Sequence, residues 1–101
     1  MSGVYCIMAW DVDGSSAIRD GCRESHFAHI VKHIEDILIA GPLKDEGGAF
    51  TGSMLVVKAQ DEAAAEALFK ADPYFAAGVW SRWEIKDFLP AAGQWVGGKT
   101  W

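Results

Sequence analysis

Cysteine, proline and cationic residues are all scarce in this chain. Two cysteines, Cys6 and Cys22, in 101 residues do not make the disulfide framework of a small secreted domain, and the first residues lack the basic and apolar regions of a secretory leader. The expectation is a cytoplasmic chain with reduced thiols, both cysteines being small buried hydrophobes. Nine Lys and Arg stand against 14 Asp and Glu, a formal net charge of −5. The nine are scattered, so a nucleic-acid backbone is not an expected partner. No apolar run approaches the ~20 residues that cross a bilayer, which excludes a helical membrane span. Gly41, Gly47, Gly48 and Gly52 have neither the spacing nor the following lysine of a phosphate cradle. There is no internal repeat and no interdomain linker.

What is abundant is apolar material: half of the residues are hydrophobic, and five are Trp. A single domain of this length buries only a modest part of its surface when alone. The surplus points to a partner surface, most simply a homodimer, with higher assembly left open.

The three histidines lie in one stretch, Arg23 to Leu38, where Phe27, Ile30, Val31, Ile34, Ile37 and Leu38 recur at helical spacing. A helix packing that stripe on the core is expected, with Ile37 to Ala40 opening a short strand and Gly41-Pro42 forbidding further helix. Val4 to Trp10 and Ser53 to Ala59 are apolar on both faces, as strands covered on both sides are. Asp11 to Gly21 has the composition of an irregular connection. Asp61 caps a helix through Ala71. Asp72 caps a second one, with Pro73 at its first position and Gly78 at its end. Val79 to Phe88 is the last strand, with Val79, Trp83 and Ile85 on one face and Trp80, Arg82, Glu84, Lys86 and Phe88 on the other. Residues 1–88 then form the domain. Residues 89–101 form a tail whose Trp95 and Trp101 are too apolar for free solvation and should dock on the domain or on a partner subunit.

The element order is that of the α+β, ferredoxin-like βαββαβ domain with an antiparallel sheet and both helices on one face. The other face needs a cover, which a second copy facing it sheet to sheet would supply.

Three constellations could carry chemistry. The first is His26 paired with a carboxylate that orients the ring for proton transfer near neutral pH. Asp11, Asp13 and Asp72 all lie at element ends; Asp72 is preferred because a carboxylate capping a helical turn is stabilised there. The plain alternative is that Asp72 only caps and His26 only packs. The second is metal binding by His26, His29 and His33, for which no second ligand segment is in sight, so a solvated flank is preferred and no metal is expected. The third is a Cys22 nucleophile beside Arg23 and His26, for which no orienting third group can be named.

Asp11, Arg23-x-x-His26 opening a helix, Gly41-Pro42-Leu43, Phe50-Thr51-Gly52-Ser53 opening a strand, Asp72-Pro73-Tyr74 and Ala76-Ala77-Gly78-Val79 together resemble the YciI-like (YCII-related domain) family, from about Val4 to Phe88. The resemblance implies a place in the dimeric α+β barrel superfamily and an active-site His-Asp pair, carried here onto His26 and Asp72. Members include a dehydrochlorinase of a chlorinated hydroxyquinol, while most have no assigned reaction. Where the family commonly has Arg-Pro-x-His, this chain has Glu24 in place of the proline, which puts a second carboxylate within two residues of His26 as a rival to Asp72.

The expectation is therefore a cofactor-independent lyase or isomerase acting on a small anionic or aromatic ligand. His26 would be its acid/base, Asp72 the orienter, Arg23 an anion contact, and Ser53 and Tyr74 further substrate contacts. A non-catalytic ligand-binding or regulatory module of the same fold is the alternative.

Overall fold

The computed structural model describes residues 3–100. Strand β1 (Gly3–Asp11) is followed by helices α1 (Ser15–Gly21) and α2 (Arg23–Lys32), strands β2 (Ile37–Lys44) and β3 (Phe50–Ala59), helices α3 (Glu62–Lys70) and α4 (Pro73–Ala77), and strand β4 (Trp80–Asp87). The four strands form one sheet in the order β2-β3-β1-β4, every neighbouring pair antiparallel. This is the ferredoxin-like arrangement. The core lies between the sheet and the helices, where Ile7, Leu55, Val57, Ala65, Phe69 and Val79 are buried.

Three local departures from the sequence expectation position the site. Residues 15–21 form a helix where an irregular connection was expected. Gly14 (φ 75°) makes the left-handed turn into it. Ser15 and Arg19, one helical turn apart, then both reach back to Asp11. A seven-residue helix has little stability of its own, so this anchorage holds it.

Helix α2 ends at Lys32, one turn earlier than the apolar spacing implied. The β-branched Ile37 and Ile39 pair with β3 instead, opposite Val57 and Val56, and that pairing overrides the helical period. The stripe expected in the core is largely outside: Phe27 is 56% exposed and Val31 70%. Strand β2 also runs through Gly41 and Pro42 rather than stopping there, which an edge strand tolerates because one side of it needs no ladder donor.

The third departure is in β4. Trp10 pairs with Arg82 but Asp11 with Trp80, so an extra residue on β4 shifts the register. A bulge of this kind turns side chains over to the opposite face. Trp80, expected on the polar face with Arg82 and Glu84, is instead 7% exposed in the core.

On the far side of the sheet, Cys6, Met8, Trp10 and Met54 are partly buried. After β4 the chain forms a small hairpin, β5 (Ala92–Gly93) with β6 (Gly98–Lys99). This hairpin shares a groove of about 430 Å³ with Leu38, Met54, Val56 and Phe88. Trp95, which borders this groove, is 82% exposed. Trp101 lies outside the described residues. No helix among the described residues is long and apolar enough to cross a membrane.

Candidate active site

His26 stands in the first turn of α2 and Asp72 at the start of α4, two helices that touch. The capping sequence Asp72-Pro73 gives an extended residue followed by a pre-set helical φ. One carboxylate oxygen of Asp72 accepts the Tyr74 backbone N–H at 2.9 Å. The same carboxylate, 3% exposed, meets His26 Nδ1 with both oxygens, at 2.9 and 2.8 Å. A nitrogen facing an ionised carboxylate this closely carries a proton, which leaves Nε2 as the base of the neutral ring. The carboxylate that His26 meets is thus Asp72 rather than Glu24. The Tyr74 ring stacks on the imidazole, centroids 3.8 Å apart and planes within 6°, and so fixes the ring plane.

Beside the pair runs a second buried network. Arg19 forms a two-pronged contact with Asp11, Nε to Oδ2 and Nη2 to Oδ1, each 3.0 Å. Nη2 also donates to the Gly52 carbonyl at 3.3 Å and to Ser53 Oγ at 3.2 Å. Ser15 Oγ donates to Asp11 at 2.7 Å. The guanidinium lies over the rings of Phe50 and Tyr74, 5.3 Å from each centroid. Gly52 is required at this crossing, because a Cβ there would sit 2.5 Å from the Ala9 carbonyl oxygen.

The two networks border one cavity of about 180 Å³, with Arg19, His26, Ser53 and Asp72 on its polar side and Phe27, Ile30, Pro42, Leu55 and Trp80 among its apolar walls. Of the residues expected at the site, Ser53 and Asp72 line the cavity with His26, and Tyr74 backs the imidazole. Arg23 does not line it: it is half exposed and ion-paired with Asp20. The guanidinium at the cavity belongs to Arg19. Arg19 is the one cationic residue of Asp11 to Gly21, but the composition of an irregular connection assigns it no site role; the i, i+4 spacing of Ser15 and Arg19 is the signal that could have done so.

Burial pushes the Tyr74 hydroxyl above its ordinary pKa, against the pull of Arg19 and then Arg23, so it stays protonated. His29 is lowered below 6.5, chiefly by desolvation and further by His33, with Asp72 and a Leu68 backbone bond opposing. Its ring centroid is 4.7 Å from that of His33, but among the described residues no group of His, Cys, Asp or Glu could hold a metal. A lowered folded value means that the unfolded chain binds this proton first, so stability falls as pH drops from 6.5 through the folded value. His29→Gln should flatten that segment of a stability-against-pH curve measured by urea unfolding. An unchanged slope there would show that His29 contributes nothing to it.

A model of the YCII-related domain matches residues 4–89. The chain is 38% identical over 93 residues to the protein YciI of Escherichia coli, covering 84% of this chain and 95% of that one; the YciI of Shigella flexneri matches equally. Among solved structures, 5-chloro-2-hydroxyhydroquinone dehydrochlorinase from Burkholderia phenoliruptrix, in complex with 2,5-dihydroxybenzoquinone, superposes with a TM-score of 0.79 at 22% identity, over 90% of this chain and 96% of that one. A NIPSNAP family protein from Agrobacterium tumefaciens does so with a TM-score of 0.54 at 13% identity, over 89% and 86%. These two likenesses are of fold.

Proposed function

The chain belongs to the YCII-related domain family, and from that premise we propose that it is a small-molecule enzyme in which His26 moves a proton on a hydroxylated ring held in the cavity. The observation that carries this reading is the His26 Nδ1 contact to both oxygens of a buried Asp72. It directs the basic Nε2 away from the carboxylate, and the stacked Tyr74 ring prevents the imidazole from turning. Asp72 supports the imidazolium as it forms and does not itself take the proton.

The reaction class suggested by the fold neighbour is elimination of hydrogen chloride. Nε2 takes a proton from a ring hydroxyl and returns it to a ring carbon, giving the keto form. Removal of a second hydroxyl proton then drives its electron pair into the ring and expels chloride. One proton and one chloride leave, so the balance needs no oxidant, metal or organic cofactor. Arg19, already committed to Asp11, polarises Ser53 and shapes the cavity; its Nη1 takes part in none of these bonds and is the guanidinium nitrogen left for a substrate oxygen.

We further propose that the chain works as a homodimer, its partly apolar outer sheet face (Cys6, Met8, Trp10, Met54) against that of a second copy. One experiment reads both. The protein, sized by sedimentation, is incubated in D2O with 5-chloro-2-hydroxyhydroquinone, the compound named for the fold neighbour. A species of twice the 11.0 kDa chain mass, releasing chloride faster than buffer and placing deuterium on the ring carbon, is expected. Neither chloride release nor deuterium incorporation would favour the ligand-binding module, and a monomer in the active sample would remove the dimer.

A further inference from the structure

The residues that line the cavity divide by exposure into a floor and a mouth. Arg19, Ser53, Leu55, Asp72 and Trp80 are buried, while Phe27, Ala40, Gly41 and Pro42 are exposed. The strand register sets the two groups side by side: Pro42 on the edge strand β2 pairs with Ser53 on β3, and Ala40 pairs with Leu55. The cavity therefore opens at the β2 edge, between that strand and α2, and runs inward to β3.

Its chemistry changes along that depth. The floor carries the polar side chains of Arg19, Ser53 and Asp72; the side chains of the mouth are a phenyl ring, a methyl group and a proline ring. His26, its side chain 18% exposed, stands between the two. Folding does not account for the phenyl ring. Phe27 is 56% exposed and lies outside the core, and its equally apolar neighbour on the α2 stripe, Val31, lines no part of the cavity. Phe27 also follows His26 directly, the ring centroids 5.5 Å apart and the planes at 47°. A ligand brought to the imidazole thus comes to the phenyl ring as well.

We propose that Phe27, with Pro42 on the strand side of the opening, is the specificity-determining contact of this site, selecting a single hydroxylated ring whose outward edge carries an apolar substituent. The inference rests on the proton-transfer reading for the hydroxylated ring. A cavity of about 180 Å³ has room for one ring, since an apolar cavity of about 150 Å³ accepts benzene. With the hydroxyl directed to the polar floor, a substituent on the opposite side of the ring lies at the mouth. An apolar group there leaves water against two apolar side chains. A polar group of the same shape gives up its water there, and the side chains of the mouth offer it no hydrogen-bond partner.

The test compares 4-isopropylphenol with 4-hydroxybenzamide, which has the same outline and a polar end. The wild type should bind 4-isopropylphenol about tenfold more tightly, the effect of burying the better part of two methyl groups. In Phe27→Ala that preference should fall to about twofold, through a weaker constant for 4-isopropylphenol. The urea midpoint should hardly move, because the side chain removed is an exposed one. In the wild type, the Phe27 ring resonances should shift with 4-isopropylphenol and much less with phenol, a measurement that needs no variant. An undiminished preference in Phe27→Ala, ring resonances indifferent to the isopropyl group, or no saturable binding of either compound would each overturn the proposal. Loss of the preference signature with deuterium exchange intact removes Phe27 and leaves His26; exchange absent with the preference intact does the reverse.

Discussion

Arg19→Ala is expected to lose about 3–5 kcal/mol of stability in urea unfolding, the usual cost of removing one partner of a buried ion pair. The reason lies in what the substitution strands. Asp11, its side chain 3% exposed, would be left, among the described residues, with the Ser15 hydroxyl as its hydrogen-bond partner. The Gly52 carbonyl and Ser53 Oγ would lose the donor they share, and Phe50 and Tyr74 the cation stacked on their faces. For a small domain whose total is about 5–15 kcal/mol, such a loss leaves a marginal fold. The loss is one of stranded charge rather than of a strong bond, so the double variant Arg19→Met, Asp11→Leu should recover most of it. A double variant as unstable as Arg19→Ala would show instead that the pair fixes the α1 geometry by its own bonds.

Asp72→Asn is expected to lower turnover by about 10²–10⁴-fold, the contribution of a correctly oriented acid/base group, while stability changes little. The separation follows from the two roles of one carboxylate. As an N-cap for Tyr74 N–H, asparagine serves about as well as aspartate. As a partner for His26, asparagine offers one carbonyl oxygen in place of two charged oxygens, and no charge to support an imidazolium. Its NH2 group can also face Nδ1 and draw the lone pair to that side, which would leave Nε2 protonated and useless as a base. The check is a pair of measurements on one sample: the rate of chloride release, and the 15N resonances of the His26 ring, which report the tautomer. Undiminished turnover with an unchanged tautomer would reduce Asp72 to a cap.

The βαββαβ order was legible because it rests on local signals of short range: the two-sided apolar strands 4–10 and 53–59, the Asp61 cap, and Asp72-Pro73 with Gly78 bounding a short helix. His26 and Asp72 were legible for the same reason, since one sits in the first turn and the other at the cap of a helix whose start the sequence marks; Ser53 instead lies inside β3, which begins at Phe50. The helical period of residues 27–38 misled, because a period records which residues are apolar and not what covers them. Phe27 and Val31 are exposed in the folded chain.

What the amino-acid sequence determined alone is the set of elements, their ends, and the residue types placed there, all of which follow from backbone sterics and capping within a few residues of each position. Tertiary structure alone decided which groups meet. Asp72 reaches His26 across 46 positions, Arg19 reaches Ser53 across 34, and Trp80 enters the cavity wall through one extra residue in the β4 register. Contacts of that separation, and the face a strand residue takes beyond a bulge, are set by strand pairing between distant segments, for which no short stretch of chain holds the information.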